Sequence, residues 1–309
     1  MSALRAALQD YLLLRRSLGH QMAEAAWQLP DFVEFLDGIG QRTVTIQATL
    51  AWIQDRQGEQ VTTMSPRRMT AVRGFARYLS GIDPDTEVPP LGLLPHRQRW
   101  RQPFIYSDAD IAAVLAAAAT INTPVRAATY HTLIGLLAVS GIRIGEGINL
   151  DRDDIDWTEG VLRIRESKFG KSRLVPAQTS TMKALRDYDL LRDEALPRPK
   201  DPSFFLSRTR KRLIYAVVSA TFRQLVDAAG VGTAAPYPPR LHDLRHTFAI
   251  RTLLHWYRTA DNVQAKIPSL STYLGHREPA STYWYISAAP ELLALAAARR
   301  ESAWKAARS

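Results

Sequence analysis

The sequence contains no cysteine among its 309 residues. This absence excludes a disulfide framework and every thiolate metal site, and it favours an intracellular location. No run reaches the length of about eighteen apolar residues that a membrane span requires, and residues 133–142 suit a buried core helix instead. Residues 1–10 show no basic stretch followed by an apolar run, so no secretory signal is indicated. We therefore expect a cytoplasmic protein that does not enter a membrane.

Acidic residues are also fewer than basic ones. The chain has 30 Asp and Glu and 40 Lys and Arg, which gives a formal net charge of +10. Residues 1–103 hold twelve of the basic and ten of the acidic side chains, so most of the excess lies in residues 104–309. Such an excess favours a polyanionic partner such as nucleic acid, although many soluble proteins are simply basic. The hydrophobic fraction of 46% is that of a folded chain.

The first part of the chain has the pattern of a small helical domain. Apolar residues recur there at intervals of three and four, with Thr43 and Ser65 as candidate N-caps. Five prolines then interrupt residues 83–103, and we assign this segment to a linker. The predicted domains are 1–82 and 104–309, and the first contains helices at about 2–18, 22–37, 43–56 and 65–80.

The second domain is predicted to be helical with a small sheet. Ser107 is the expected cap of a helix that starts at Asp108. Two alternating runs, 161–165 and 172–176, flank a turn that contains Lys168 and predict a hairpin. The fold class is therefore mainly α with a small β-sheet. Further helices are expected at about 123–139, 143–150, 178–196, 214–229, 241–257, 264–275 and 288–306.

The most specific local motif is the run RLHDLRHTFA, in which His242 and Arg245 lie three residues apart. On a helix they project from one face, where a guanidinium can grip two phosphate oxygens while an imidazole handles a proton. Taken alone, the pair fits an ordinary amphipathic helix at least as well. Its function therefore depends on the other motifs of the chain.

Those motifs follow one another along the second domain. Arg143 comes just after a glycine at a helix start, where backbone N–H groups favour an anion. Lys168 lies at the hairpin tip, where a long amine can reach into a groove. His276 lies in a turn after a helix, and Tyr283 and Tyr285 lie in the next short segment.

The context G-I-R-x-x-E, the hairpin lysine, the run H-x-L-R-H-T-F-A, the tripeptide L-G-H and a tyrosine nine residues beyond it occur in that order. Together they resemble the tyrosine recombinase, or phage integrase, family, which includes the Xer-type recombinases. The motifs span residues 143–285, and the linker and the helical N-terminal part extend the likeness to nearly the whole chain. The resemblance implies an N-terminal core-binding domain of the SAM-like type and a mixed α/β catalytic domain.

The resemblance also implies a role for each matching residue in cleaving and rejoining DNA without a metal or a cofactor. Arg143, which is followed by Glu146 of the motif, and Arg245 would clamp the scissile phosphate. His242 would assist removal of the nucleophile's proton, and His276 would hydrogen-bond a phosphate oxygen. Lys168 would protonate the leaving 5′ oxygen.

The nucleophile is expected to be a tyrosine that forms a 3′-phosphotyrosine intermediate. The spacing from His276 favours Tyr285 over Tyr283, and only one of the two can face the phosphate from a helix. Lys171, on the other side of Gly170, is the alternative to Lys168.

The expected partner is double-stranded DNA at a specific recombination site. The family resemblance implies a tetramer on DNA in which the C-terminal helix docks on a neighbouring protomer. Residues 255–276 also resemble recombinases of transposons that encode several recombinases side by side, which adds sister recombinases as partners. Basic residues expected to contact DNA are Arg67, Arg68, Arg73, Arg77, Arg97, Arg99, Arg101, Lys171, Arg173, Arg208, Arg210, Lys211 and Arg212.

Three alternatives to a recombinase of DNA integration, excision or transposition remain at this level. A type IB topoisomerase uses a similar set of residues but reseals the same strand. A DNA-binding regulator would keep the basic surface without the chemistry. Asp153 and Asp154 could hold magnesium as in a metal-dependent nuclease, but the run DRDDIDW fits a solvated turn better.

Overall fold

The computed structural model describes residues 2–55, 64–94, 102–165, 172–259, 262–276, 278, 280–288 and 290–306. The chain divides into two compact units, Met1–Trp100 and Arg101–Ser309. Helices dominate both units, and the second also holds a three-stranded antiparallel sheet, so the predicted fold class is confirmed. No helix within the described residues is long and apolar enough to cross a membrane.

The described residues of the N-terminal unit form a bundle of four helices around a core that includes Phe32, Trp52 and Phe75, all fully buried. Neither predicted cap is correct. The third helix is capped by Thr45, whose hydroxyl accepts the Ala48 N–H at 3.1 Å, whereas the predicted residue, Thr43, pairs with Thr86. Ser65 lies inside the fourth helix. The helices are α1 (Ala3–Ser17), α2 (Ala23–Gly38), α3 (Ile46–Asp55) and α4 (Met64–Leu79).

The second unit begins with a helix capped as predicted, because the Ser107 hydroxyl accepts the Asp110 N–H at 3.0 Å and the Asp110 carboxylate accepts the Ser107 N–H at 2.8 Å. Its helices are α5 (Asp108–Ala119), α6 (Pro124–Ser140), α7 (Ile144–Ile148), α8 (Thr179–Ala195), α9 (Tyr215–Ala228), α10 (Leu241–Arg258), α11 (Val263–Leu274), α12 (Ala280–Ala288) and α13 (Pro290–Ala306).

The sheet has the order β1 (Ile155–Asp156), β2 (Val161–Ile164) and β3 (Arg173–Pro176), with both pairs antiparallel. Strands β2 and β3 are the predicted hairpin, whereas the two-residue β1 is too short for an alternating pattern to reveal it. Asp154, expected in a solvated turn, is buried before β1 and pairs with Arg165.

Two hydrophobic clusters hold the second unit together. The larger one joins α5, α6, α8, α9 and the sheet, with Leu133, Leu162 and Phe204 fully buried. The smaller one joins helices α10 to α13 and contains Tyr285 and Leu292. The C-terminal helix expected over 288–306 is α13, and it packs on α10 together with α12.

Candidate active site

The site begins where α6 reverses direction at Gly141. This residue has a φ of +60°, and a Cβ atom there would lie 2.4 Å from the Phe248 ring. Only glycine fits, because it tolerates the left-handed conformation and has no side chain to collide. The sharp reversal leads directly to Arg143 ahead of α7, and the Gly141 carbonyl accepts a 2.8 Å hydrogen bond from Arg245 of α10.

The C-terminal end of α11 holds three arginines at once. The last carbonyl groups of a helix have no intrahelical partner and carry the negative end of its dipole, so they favour cations. Three consecutive carbonyls there each accept a guanidinium N–H. The bonds run from Arg173 Nε to Tyr273 O at 2.6 Å, from Arg245 Nη2 to Leu274 O at 2.6 Å and from Arg143 Nη2 to Gly275 O at 2.8 Å.

Gly275 allows this close approach. Its φ is +67°, and a Cβ atom would lie 2.9 Å from Arg173 Nη1 and 3.4 Å from Arg143 Nη1. A side chain would therefore be strained by the backbone, would push against the Arg173 guanidinium and would touch that of Arg143. The L-G-H tripeptide thus brings arginines from three separate segments to one helix end.

The carboxylate of Glu146 ties two of these arginines together. It accepts two hydrogen bonds from Arg173, at 2.9 and 2.8 Å, and one from Arg143 Nη1 at 2.8 Å. Burial opposes its charge, but the two guanidinium groups outweigh burial and hold the pKa of Glu146 at about 2. Arg173, expected to contact DNA, is instead engaged inside the unit, with 10% of its side chain exposed.

Tyr285 and Tyr283 differ sharply in their surroundings. Tyr285 is 2% exposed, and its ring stacks on that of His276 with centroids 6.0 Å apart. Tyr283 is 48% exposed. Burial raises the pKa of the Tyr285 phenol, while a hydrogen bond and the positive charge of Arg245 lower it in part. Of the two tyrosines, Tyr285 is therefore the one that shares a pocket with Arg245.

Three histidines face this pocket in their neutral form. Desolvation, followed by the charge of Arg245, lowers the pKa of His242, which is exposed, and of half-buried His276 to about 4. Burial and the neighbouring His242 lower the pKa of His246 to about 3. His276 is further oriented by a 2.7 Å hydrogen bond between its Nδ1 and the hydroxyl of buried Thr282.

Arg245 is the central cation of the site. It is 2% exposed, and burial lowers its pKa to about 10, so it keeps its charge at neutral pH. Of the six predicted catalytic residues, Arg143, His242, Arg245, His276 and Tyr285 gather around one pocket. Lys168 lies outside the described residues, as do Lys171, Arg97, Arg99 and Arg101.

The predicted basic run before α9 is partly engaged in internal contacts. Arg212 pairs with Asp151 at 2.7 Å and with Asp201 at 3.1 Å. Arg210 donates to the Pro197 carbonyl. Arg208 and Lys211 line a surface cavity of the second unit.

The predicted basic residues of α4 lie at the surface of the N-terminal unit. Arg67 forms an exposed ion pair with Glu24 at 3.6 Å, and Arg68 lies over the Trp52 ring. Arg73 donates to the carbonyl groups of Pro89 and Pro90. Arg67, Arg73 and Arg77 line a common groove between α2 and α4.

Sequence reasoning assigned no role to His246, Glu146 or Thr282. His246 lies four residues after His242 and so one helical turn away, a signal available from spacing alone. Thr282 carried no such signal, because its contact with His276 depends on how α12 packs. No cluster of three metal-binding side chains occurs among the described residues.

Comparison with known proteins assigns this architecture to a family. The model of the family described as "Phage integrase family" matches residues 107–291. The chain belongs to this family and is a tyrosine-type recombinase. It is 40% identical to the putative integrase/recombinase y4rB of Sinorhizobium fredii over 99% of both chains. It is 32% identical to tyrosine recombinase XerC of Azotobacter vinelandii over 71% of this chain and 67% of the relative.

Solved structures share the fold at low sequence identity. The Tn1549 transposon integrase in complex with transposon right end DNA has a TM-score of 0.66 at 16% identity, covering 96% of this chain and 98% of the integrase. A lambda integrase dimer bound to a COC′ core site has a TM-score of 0.60 at 16% identity, covering 91% of this chain and 94% of the integrase.

Proposed function

We propose that this protein cleaves and rejoins DNA at a specific site through a 3′-phosphotyrosine bond to Tyr285. The observation that carries the proposal is the burial of Tyr285 beside Arg245 and His276. A membership in the phage integrase family and structural relatives that hold DNA support double-stranded DNA as the partner.

The nucleophile must lose its proton in a buried setting. A phenol of pKa about 10 carries a handicap near 4 kcal/mol at pH 7, and burial of Tyr285 adds to it. Arg245 offsets part of this cost, and with Arg143 it would neutralise the non-bridging oxygens of the scissile phosphate. Main-chain carbonyls already orient both guanidinium groups, so little reorganisation is needed at the moment of attack.

His242 would take the phenolic proton. Desolvation, followed by the charges of the arginines, lowers its pKa to about 4, so the imidazole is neutral and able to accept a proton at pH 7. A phosphodiester bound between Arg143 and Arg245 would offset their charge and move the pKa of His242 back towards its ordinary value. The phenolate oxygen then bonds to phosphorus, the bond to the 5′ oxygen breaks, and that oxygen takes a proton from Lys168, the family's hairpin lysine.

The rest of the chain would bind the duplex and organise the assembly. We assign DNA binding to 1–82, a linking role to 83–103 and catalysis to 104–309. The exposed α4 arginines, Arg208 and Lys211 are the candidate phosphate contacts, whereas Arg173 is removed from this set because Glu146 engages it. The reaction would serve integration, excision or transposition in the cytoplasm, with sister recombinases as candidate partners.

We also propose a tetramer on DNA in which α13 docks on a neighbouring protomer. The single chain provides a competing arrangement, because α13 lies on its own unit. Leu292 is fully buried there, and Arg299 donates to the carbonyl groups of Trp256 and Tyr257 at 3.2 and 2.6 Å. Docking in trans would replace these contacts within one chain by equivalent contacts with the neighbouring protomer.

The test uses a pool of nicked duplexes with a randomised stretch, from which adducts that survive denaturing electrophoresis are isolated and sequenced. We expect the wild type to yield adducts with a common sequence and Tyr285→Phe to yield none, while Tyr283→Phe behaves as the wild type. Adducts from Tyr285→Phe would show that Tyr285 is not the nucleophile. Tight binding without any adduct would favour a non-catalytic regulator, and adducts without strand exchange would favour a topoisomerase.

A further inference from the structure

His246 lies inside the pocket without a role in the proposed reaction. Its ring centroid is 4.7 Å from that of His242, 5.2 Å from that of Trp284 and 5.5 Å from that of Tyr285. Its ring meets the Tyr285 ring at 61°, whereas His276 meets the same ring at 23°. Two imidazoles therefore contact the phenol in different orientations, and within the described part of the chain the Nδ1 atom of His276 has a hydrogen-bond partner whereas that of His246 has none.

The Nδ1 atom of His246 is buried and has no hydrogen-bond partner among the described residues. A buried polar atom left without a partner costs about 1–3 kcal/mol, and an apolar side chain of similar size would remove that cost. Packing against Tyr285 and Trp284 alone would therefore be served better by leucine or methionine. The low pKa of His246 also means that its imidazole is neutral at pH 7, so the side chain does not serve as a positive charge either.

We propose that His246 is a positioning residue for the nucleophile, whose Nδ1 gains a hydrogen bond in the DNA-bound site and thereby fixes the Tyr285 ring against His242 and Arg245. This inference rests on the proposed function. The free protein carries the unsatisfied nitrogen as a cost, and binding of DNA relieves it. A displacement of the phenol by about 1 Å would be enough to slow attack roughly 100-fold.

Asparagine and leucine provide the matched comparison at this position. They share a shape, but the amide of asparagine supplies a polar atom near the place of Nδ1 and leucine does not. The full chain and its variants are tested on a nicked duplex recovered from the adduct pool described above. Three quantities are measured for each: the single-turnover rate of adduct formation, the affinity for the duplex and the melting temperature. His255→Leu, at an exposed position on the same helix, is the control.

We expect His246→Leu to lose roughly 10- to 100-fold in the rate of adduct formation at saturating DNA, to bind the duplex about 5-fold or more weakly because it lacks the hydrogen bond gained on binding, and to melt at an equal or higher temperature. His246→Asn should keep most of the wild-type rate, and His255→Leu all of it. If the leucine variant does not fold, His246→Met makes the same comparison.

A wild-type rate for His246→Leu, or equal losses for leucine and asparagine, would overturn the positioning role. Either result would leave the phosphotyrosine mechanism intact as long as the wild type forms its adduct. A wild type that binds the duplex and forms no adduct would instead refute the proposed function itself.

Discussion

Mild acid should destabilise the second unit more than a typical domain, because three histidines with lowered pKa values lie around Tyr285. The pKa values of His242, His246 and His276 in the folded chain are about 4, 3 and 4, below the ordinary value of 6.5. Between pH 6.5 and 4 the unfolded chain therefore binds more protons than the folded chain. Stability is fully present above pH 6.5 and is lost as the pH falls through this window.

The size of the loss at pH 5 follows from these values. An unfolded histidine of pKa 6.5 gains about 2 kcal/mol from protonation at pH 5, whereas a folded one with a pKa of 4 or less gains almost nothing. His246 thus contributes about 2 kcal/mol. His242 is exposed and His276 is half-buried, and solvent screening reduces the share of each to about half of that. The total of about 4 kcal/mol corresponds to a fall in melting temperature of roughly 8–16 °C for a unit of this size.

Scanning calorimetry of the full chain at pH 7, 6 and 5 measures this loss directly. His246→Asn should melt with about 2 kcal/mol less dependence on pH over the same interval. His131→Gln, at an exposed position on α6, should leave the dependence unchanged. A melting temperature that stays constant from pH 7 to 5, or equal slopes in the two variants, would refute the lowered pKa values of the histidines around Tyr285.

Two further variants test the arginine network. Glu146→Gln should lower the free energy of unfolding by about 3 kcal/mol at pH 7, because the pKa of Glu146 is about 2 in the folded chain and 4.5 ordinarily. This contribution to stability disappears as the pH falls from 4.5 to 2. Urea titrations measure it, and the control Asp187→Asn, which removes an exposed ion pair, should have little effect. Gly275→Ala should slow adduct formation and destabilise the unit by more than Gly230→Ala, because both have φ near +66° but only Gly275 faces arginine side chains. Equal effects of the two alanine variants in calorimetry would contradict the close approach.

Local sequence was sufficient for most of the helices and for the hairpin. Their periodic apolar residues and the Ser107 cap act over a few neighbours, so a short window contains the information. The caps Thr43 and Ser65 were wrong because the choice among adjacent hydroxyl residues depends on where the helix packs. Thr43 pairs instead with Thr86, which is far away in the sequence.

Five of the six catalytic residues that motif spacing predicted lie around one pocket in the structure, and their roles stay predictions. The environment of Arg173 was beyond sequence reasoning for a physical reason. Its partners are Glu146 and the Tyr273 carbonyl, 27 and 100 residues away, and a carbonyl has no side-chain identity to find in a sequence. From the sequence alone, the positively charged Arg173 in the hairpin was therefore predicted to contact DNA.

The three arginines of the pocket are held by main-chain carbonyl groups, and this affects which mutations the chain can tolerate. Side-chain partners disappear with a single substitution, but every residue carries a carbonyl group. The exposed positions of residues 263–274 can therefore vary without releasing the three guanidinium groups, as long as the helix ends in the same place, whereas its buried face is constrained by the smaller hydrophobic cluster. Insertions and deletions have the opposite effect, since a shift of one residue would withdraw all three acceptors together. The exposed positions of the stretch that leads into L-G-H should thus accept substitutions readily, but the stretch should hardly tolerate a change of length.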